Sequence, residues 1–438
     1  MTSELSSSWA DFDLPIPPPQ PVSSLLTNYS SPINVLAPLV RCGKLPFRHL
    51  CSLYETHVTY TPMILAQEFS RSQSARMADF TSSRDERGVF WVENRTGEGI
   101  GQGVEVKVGS VVRPMIYGHP EDFPNGQPDL SHLNLDDPSE VRADSDSPPI
   151  APYKTYYTPP PHTRLPPTFL PPTRHSTLIR GSLIAQFASP NPGCLADAAE
   201  LVAPYVDGLD LNCGCPQRWA YNEGIGCALL RKPELVRDMV RAVKGRLGWG
   251  WPVSVKIRVD PDLKLTDQLV RSAISAGVSH ITIHGRTRHQ ASTEPISLPA
   301  IRFAVESARG EVPCVGNGSV WNVQDAENMR AETGVRGVMG ARGLLANPAL
   351  FAGYDRTPKH AVEQFVSLSV DYGLIFPLFH RHLAYMLESH YHRSERIYFN
   401  GLTSSVAAID HLVSRGIDLP ARHTEPIWDA RRGRTMLK

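Results

Sequence analysis

A repeated alternation of strand patterns and helical patterns restricts the fold of this chain more than any other sequence feature. Eight short segments rich in β-branched and apolar residues follow one another, at 33–38, 58–63, 183–187, 208–212, 252–258, 280–285, 313–318 and 335–339. Apolar residues at helical spacing follow most of them, at 46–54, 194–202, 233–243, 266–276, 298–306 and 323–330. Eight βα repeats predict an α/β fold, a (β/α)8 TIM barrel within residues 31–350.

Residues 85–180 interrupt the alternation between the second and third predicted strands. They hold 15 of the 39 prolines and an acidic run at 136–146. Such a composition buries too little apolar surface to order itself, so we expect a low-complexity, mostly disordered insertion. Because it follows a strand end, we expect it to leave the barrel on the mouth side. There it would cap the site, contact a substrate or remain inert, unless it stems from an incorrect gene model.

The strand patterns stop after Pro348, and helical periodicity continues from 360 to 415. We therefore predict a smaller all-α domain at 351–420, with flexible ends at 1–30 and 421–438. This domain has a run of basic and aromatic residues that would suit RNA if they shared one face, although a solvated helix face is the other interpretation. The run comprises His380, Arg381, His382, Tyr385, His390, Tyr391, His392, Arg393, Arg396 and Tyr398.

Composition narrows the class of protein. The 44 basic and 44 acidic residues balance to a formal net charge of zero, so net charge alone gives no support to nucleic-acid binding. No apolar run approaches the roughly 18 residues of a membrane span. The N-terminus lacks a basic region followed by an apolar one, and seven scattered cysteines form no secreted-type framework. We expect a cytoplasmic or nuclear protein, with no membrane association and no obligate protein partner.

Polar and reactive residues cluster where the predicted strands end, the face that carries the active site in a (β/α)8 barrel. Cys215 lies on such a loop, between Gly214 and Pro216, which restrict the backbone and so give the thiol a defined direction. A thiol with a pKa of about 8.5 is mostly protonated near neutrality and can donate a proton. The sequence therefore predicts catalysis by Cys215.

Two other interpretations of Cys215 remain open. A lone cysteine often acts as a small hydrophobe in a core. Alternatively, Cys213, Cys215 and Cys227 would form a metal site. Paired zinc ligands are usually separated by about two to four residues and accompanied by a second pair, so we predict no metal.

Lys256 also has two interpretations. A lysine at a strand end can point into the barrel, where its charge would serve the site. A lysine within a strand more often points to solvent, in which case its neighbours Val255 and Ile257 would face inward.

Short motifs recur at the strand ends in a fixed order. They are Ala37-Pro38-Leu39, Leu45-Pro46-Phe47-Arg48, Tyr60-Thr61-Pro62-Met63-Ile64, Gln186-Phe187, Asn212-x-Gly214-Cys215-Pro216, Val255-Lys256-x-Arg258, His284-Gly285-Arg286-Thr287, Gly316-Asn317-Gly318 and Ala341-Arg342-Gly343. In this order they resemble the tRNA-dihydrouridine synthase family over 33–84 and 181–351, and more loosely to about 415. The forms at 60–64, 215–220 and 341–348 are most similar to the eukaryotic subgroup that acts at D-loop positions 20a and 20b.

The resemblance implies an FMN-dependent oxidoreductase that uses NADPH or NADH to reduce the 5,6-double bond of uridine in the tRNA D-loop. It implies that FMN supplies the hydride, that Cys215 supplies the proton, and that the helical domain helps to hold the tRNA. Asn212 and Arg286 would contact the uracil. The residues implied to bind FMN are Ala37, Pro38, Gln186, Lys256, His284, Asn317, Gly318, Arg342 and Gly343.

Two alternatives differ from this in class. One is another FMN-dependent barrel oxidoreductase acting on a free pyrimidine or an ene-carbonyl compound, which would not need the helical domain. The other is a catalytically decayed tRNA-binding protein, which would bind tRNA without holding FMN.

Overall fold

The computed structural model describes residues 17–95, 176–417 and 419. Its strands are β1 (Ile33–Leu36), β2 (Val58–Tyr60), β3 (Ile64–Leu65), β4 (Val89–Glu93), β5 (Ser176–Arg180), β6 (Ser182–Ala188), β7 (Gly208–Cys213), β8 (Val253–Arg258), β9 (Ile281–His284), β10 (Cys314–Asn317) and β11 (Gly337–Gly340). Its α-helices are α1 (Val22–Asn28), α2 (Leu45–Ser52), α3 (Ala66–Arg71), α4 (Gln73–Asp79), α5 (Pro192–Val202), α6 (Arg218–Asn222), α7 (Pro233–Leu247), α8 (Leu263–Ser275), α9 (Leu298–Ser307), α10 (Val323–Thr333), α11 (Arg342–Ala346), α12 (Lys359–Asp371), α13 (Phe376–Leu387), α14 (Arg393–Asn400) and α15 (Ser405–Ser414).

Eight of these strands close into a parallel barrel. Their order around the barrel is β1, β2, β6, β7, β8, β9, β10 and β11, and β11 pairs with β1 to close it. Ile33 lies opposite Gly337 at the closure, and Val58 lies opposite both Val35 and Ser182. The predicted (β/α)8 fold and its eight strands are therefore confirmed.

Local sequence places the helices that surround the barrel. Asn191, Ser297 and Asn322 each accept a hydrogen bond from the backbone N–H three residues later, so they cap the starts of α5, α9 and α10. α10 ends at Gly334, whose φ of 74° is in the left-handed region that glycine adopts without strain. Short caps of this kind fix how each helix leaves the loop that follows a strand.

Side chains along each barrel strand alternate between the barrel interior and the surrounding helices. In β8, Val255 and Ile257 join the large apolar core that includes the outer helices. Lys256 points inward, because its Nζ donates to Oδ1 of Asn317 across the barrel at 2.8 Å. The solvent-facing interpretation of Lys256 is therefore wrong: the outward positions of a barrel strand pack against helices, so its inward positions are free to carry polar groups.

The amino-terminal end of the barrel is closed by α1 and by an antiparallel hairpin of β4 and β5. Glu93 pairs with Ser176 at one end of the hairpin. At the other end the Gly181 N–H donates to the Gly88 carbonyl at 2.7 Å, just before β6 begins. Phe90, within the hairpin, packs in the interior apolar cluster of the barrel.

This hairpin changes the interpretation of residues 85–180. Both ends of the predicted insertion form ordered strands, and residues 96–175 lie outside the described part of the chain. The ends lie near His57, before β2, and Ser30, before β1, so they are opposite the mouth. The expected mouth-side start was wrong, because α3 and α4 carry the chain back along the barrel first.

Four helices, α12 to α15, follow the barrel and pack against it. His382 of α13 stacks on Phe47 of α2 with ring centroids 4.5 Å apart, and its Nε2 lies 2.9 Å from the Cys42 carbonyl oxygen. Phe365 and Phe379 stack between α12 and α13. The predicted helical pattern after the barrel is thus present. Among the described residues, no helix has both the length and the apolar character needed to cross a lipid bilayer.

Candidate active site

All the residues predicted for the site lie at the carboxyl-terminal ends of barrel strands or directly after them. Ala37 and Pro38 follow β1, Gln186 lies in β6, Asn212 lies in β7 with Cys215 after it, Lys256 lies in β8, His284 lies in β9 with Arg286 after it, Asn317 lies in β10 with Gly318 after it, and Arg342 and Gly343 begin α11. Because the strands are parallel, these positions surround one mouth of the barrel.

The loop that carries Cys215 is held from several sides. Oδ1 of Asn212 accepts hydrogen bonds from the backbone N–H groups of Gly214 at 3.1 Å and Cys215 at 2.9 Å. The Cys215 carbonyl accepts from the Cys227 N–H at 3.0 Å. Gly226, with φ of 61°, lies so close that a Cβ there would be 2.7 Å from Cβ of Cys215. The direction of the half-buried thiol is therefore set by its neighbours.

Cys213 and Cys227 occupy different surroundings from Cys215. Cys213 is buried on the helix-facing side of β7, where burial raises the pKa of its thiol. Burial also raises the pKa of the Cys227 thiol, to about 11. Since Asn212 faces inward, Cys213 faces outward and does not converge with Cys215 on one point. Cys215 contacts a small apolar cluster that includes Ile225, so one side of its surroundings is dry.

A chain of hydrogen-bonded polar side chains lies beneath the mouth. Asn212 donates from Nδ2 to Oε1 of Gln186 at 2.8 Å, and Gln186 donates from Nε2 to Oδ2 of Asp210 at 2.8 Å. Ser254 donates to the other carboxylate oxygen of Asp210 at 2.7 Å. Burial raises the pKa of Asp210 to about 6, although the Gln186 and Ser254 hydrogen bonds oppose the rise. Sequence reasoning missed Asp210, although its position two residues before Asn212 puts it on the same inward face.

Lys256 is a buried cation at the same level of the barrel. Burial lowers the pKa of its ammonium group to about 8, while the charge of Asp210 partly opposes that change. Its partner Asn317 is fixed in turn, because Nδ2 of Asn317 donates to the Met339 carbonyl at 2.9 Å. A lysine with a pKa near 8 keeps most of its charge at neutral pH and can stabilise an anionic ligand.

His284 and Arg286 are in direct contact. Nη1 of Arg286 donates to Nε2 of His284 at 3.2 Å, so the histidine carries its proton on Nδ1. Burial and four nearby cations lower the pKa of His284 to about 2, so the ring is neutral. Arg286 is 3% exposed and also donates to the Glu294 carbonyl at 2.6 Å and to Oγ of Ser319 at 2.7 Å. These hydrogen bonds of the Arg286 guanidinium therefore fix the loop after β9 in place.

Two glycines shape the ends of the seventh and eighth barrel strands. Gly318 has a φ of 119°, and a Cβ there would lie 2.6 Å from Ile296 and 2.9 Å from His284. A Cβ on Gly343 would lie 2.2 Å from the Val320 carbonyl oxygen. Only glycine fits either position, because a side chain there would clash with the closely packed loops at these strand ends.

The start of α11 adds positive charge beside these glycines. The first N–H groups of a helix have no partner within the helix and carry partial positive charge. Arg342, at this start, donates from Nη2 to the Ser292 carbonyl at 2.6 Å, and its guanidinium lies 5.0 Å from the Trp321 ring. TIM barrels often bind a phosphate with the loops after strands seven and eight and a short extra helix. The residues here fit such a group.

A second arginine–aromatic pair lies on the loops after β7 and β9. The guanidinium of Arg288 lies 3.3 Å from the centroid of the Tyr221 ring. Tyr221 and its neighbour Trp219 are both exposed, on the short helix that follows Cys215. Stacked cationic and aromatic groups suit nucleic-acid bases. Sequence reasoning missed this pair because its members lie on different loops.

The predicted basic face of the helical domain is only partly formed. His382 and His390 are tied to backbone carbonyl groups, and burial lowers the pKa of each to about 4. Both are therefore neutral near pH 7. Arg381, Arg393 and Tyr398 are exposed and keep the cationic and aromatic character that the sequence suggested.

Comparison with known proteins adds an independent finding. The family described as dihydrouridine synthase (Dus) matches residues 35–92 and 171–406 of this chain, more than half of its 438 residues. A Mus musculus protein named as tRNA-dihydrouridine(20a/20b) synthase-like, with NAD(P)+ in its name, is 36% identical over 384 residues. That match covers 87% of this chain and 88% of the mouse protein.

Two further relatives are similar along large parts of the chain. A tRNA-dihydrouridine(20a/20b) synthase of Schizosaccharomyces pombe is 35% identical over 366 residues, covering 84% of this chain and 82% of the yeast protein. An uncharacterized tRNA-dihydrouridine synthase-like protein of Caenorhabditis elegans is 44% identical over 238 residues, covering 54% of this chain and 82% of the worm protein.

Proposed function

This chain belongs to the dihydrouridine synthase family, and we propose that it reduces the 5,6-double bond of uridine at D-loop positions 20a and 20b of tRNA. FMN is the proposed cofactor, and NADPH or NADH its reductant. The main support is that two features lie at the same mouth of the barrel. One is the set of glycines and cationic side chains after β10 and β11, and the other is Cys215, whose backbone N–H is held by Asn212.

The residues at the mouth fit a flavin mononucleotide by their chemistry. Asn317, Gly318, Arg342 and Gly343 would hold the phosphate, because glycine N–H groups and a guanidinium are good anion donors. Lys256, with a pKa lowered to about 8 by burial, would stabilise a negative charge on the ring system. The remaining proposed contacts to the ring are Ala37, Pro38, Gln186 and His284. Once reduced by NADPH or NADH, a flavin held by these residues would supply the hydride that C6 of the uracil receives.

Cys215 completes the reduction by giving the proton of its Sγ to C5 of the uracil. It can do so because Asn212 and Cys227 hold its backbone, and because one side of its surroundings is apolar. Charge that develops on a uracil carbonyl oxygen needs hydrogen-bond donors nearby. Asn212 is the proposed donor, and Arg286 acts beside it through the neutral His284 that it contacts.

The substrate base must leave its stack to reach a site at a barrel mouth. Exposed Arg381, Arg393 and Tyr398 on the helices after the barrel support the proposal that residues 351–420 help to bind the tRNA. Because His382 and His390 are neutral, the exposed Arg381 and Arg393 supply positive charge there in place of these two histidines.

The test starts with the visible spectrum of the purified protein. The protein is then reduced with NADPH without oxygen and mixed with unmodified tRNA. Flavin bands and tRNA-dependent reoxidation, with dihydrouridine found at 20a and 20b by mass spectrometry, are expected. A yellow protein that tRNA does not reoxidise would favour another flavin barrel, and a colourless protein that binds tRNA would favour the decayed tRNA-binding protein.

A further inference from the structure

Asp210 is a buried carboxylate that the roles assigned above do not use. It is 0% exposed, lies in β7 and faces into the barrel beneath the mouth. Its two oxygens accept one hydrogen bond each, from Nε2 of Gln186 and from Oγ of Ser254. Burying a carboxylate is costly, so its presence beneath the site calls for a reason.

An ionised carboxylate only accepts hydrogen bonds, so the group of Gln186 that faces Asp210 must be the amide nitrogen. The amide oxygen of Gln186 then faces Asn212, which donates to it from Nδ2 at 2.8 Å. The oxygen of Asn212 in turn faces the opposite way and accepts from the Cys215 N–H at 2.9 Å. Every amide in the chain therefore has a single orientation.

The groups at both ends of this series of hydrogen bonds require the same orientation of the Gln186 and Asn212 amides. At one end Asp210 offers acceptors, and at the other the Gly214 and Cys215 N–H groups are donors. A side-chain amide nitrogen carries two hydrogens. Gln186 donates one of them to Asp210, and Asn212 donates one to Gln186. The second N–H of Asn212, which is 7% exposed whereas Gln186 is fully buried, is left for a ligand and suits a carbonyl oxygen of uracil or of a flavin ring.

We propose that Asp210 is a positioning residue of the site: it orients the Gln186 and Asn212 amides as hydrogen-bond donors and, through Asn212, holds the backbone of Cys215. The effect of Asp210 on catalysis rests on the proposed function. The orientation of the two amides and of the Cys215 backbone does not, because it involves only residues of this protein. The hydrogen bonds of Asp210 go to Gln186 and Ser254 and not to the Cys215 thiol. It therefore acts on the site through the side-chain amides of Gln186 and Asn212.

The test compares three variants of the full-length protein. Asp210→Val removes the acceptor, and Asp210→Asn keeps one acceptor and the shape. Thr282→Val is the control, because Thr282 is also 0% exposed, in β9 two strands away from β7, but takes no part in the hydrogen-bonded series of Asp210, Gln186 and Asn212. Three quantities are measured: the Kd for FMN by fluorescence titration, the alkylation rate of Cys215 by iodoacetamide with peptide mass spectrometry, and the Tm.

We expect Asp210→Val to weaken FMN binding by about tenfold or more and to raise Cys215 alkylation by about threefold or more, since residues of one hydrogen-bond network are coupled. Asp210→Asn should stay within about threefold of wild type in both measurements, because one acceptor remains for Gln186. Thr282→Val should leave FMN binding and Cys215 alkylation at their wild-type values, whatever its effect on the Tm. If Asp210→Val behaves like Thr282→Val, Asp210 is merely structural and the inference is overturned.

A second comparison decides the matter if Asp210→Val does not fold. Gln186→Glu places two carboxylates in contact and should disturb both readouts. Adding Asp210→Asn restores a hydrogen bond of reversed polarity, so Cys215 alkylation should return to normal while FMN binding stays weak. Absence of that rescue overturns the inference. If the wild type binds no flavin and leaves tRNA unchanged, the proposed function fails, and the alkylation rates of the apoprotein still decide the role of Asp210.

Discussion

Replacing Lys256 by methionine tests whether the buried positive charge of Lys256 lowers the free energy of unfolding. The pKa of Lys256 is lowered from 10.5 to about 8, chiefly by burial. That difference corresponds to about 3 kcal/mol of destabilisation at pH 7, because one pKa unit is worth about 1.4 kcal/mol. Methionine avoids this cost but leaves Oδ1 of Asn317 without its donor, which costs about 1–3 kcal/mol. We therefore expect a change near zero at pH 7, or a slight gain in stability.

The dependence on pH is the sharper measurement. Between pH 8 and 10.5 the unfolded chain binds the Lys256 proton more tightly than the folded one, so this group makes folding more favourable as pH rises. From pH 7 to pH 9.5 the wild type should gain about 2 kcal/mol relative to Lys256→Met. Urea unfolding of both flavin-free proteins at a series of pH values measures the difference.

The exposed Lys264 offers a matched control, and Lys264→Met should show no such pH-dependent difference. Lys256→Met should also hold FMN more weakly, because it lacks the cation proposed to face the ring. A Lys256→Met protein that loses several kcal/mol equally at all pH values would refute the argument, since the loss would then reflect packing and not charge.

Three further predictions concern Cys215, Gly343 and Phe90, with Gly245→Ala as the control for the second. Cys215→Ala should keep flavin and its reduction by NADPH but slow single-turnover uridine reduction by roughly 10²–10⁴-fold, and an unchanged rate would exclude it as the proton donor. Gly343→Ala should weaken FMN binding and lower the Tm because its Cβ would lie 2.2 Å from the Val320 oxygen, whereas Gly245→Ala, with nothing within 4 Å, should be neutral or stabilising. Phe90→Ala should cost about 3–5 kcal/mol in urea unfolding, and a loss below about 1 kcal/mol would show that the hairpin is not part of the core.

The barrel could be predicted from sequence because its evidence is local. A strand such as Val253–Arg258 shows its β-branched pattern within a few residues, and α7 shows helical spacing directly before it. The order of eight such units then restricts the topology, because parallel strands joined by helices close in few ways. The ends of the insertion were misjudged because β4 and β5 pair across a long separation, and the pattern of either one alone is weak.

The position of Lys256 shows where local evidence stops. Period-two alternation states that Lys256 and Val255 face opposite sides, but not which side is the barrel interior. Closure of the barrel decides it, since Val255 then packs against helices. The same closure buries the ammonium group and lowers its pKa, a property that no stretch of sequence displays.

By itself, the sequence determined the fold, the order of the strands and the residues that end them, because propensity and periodicity act over a few neighbouring residues. It also located Cys215 and the glycines of the mouth. Only the tertiary structure decided which polar groups meet: Gln186 with Asp210, and Lys256 with Asn317. Those contacts join different strands and exist only once the barrel has closed, so their geometry, polarity and charge belong to the folded molecule.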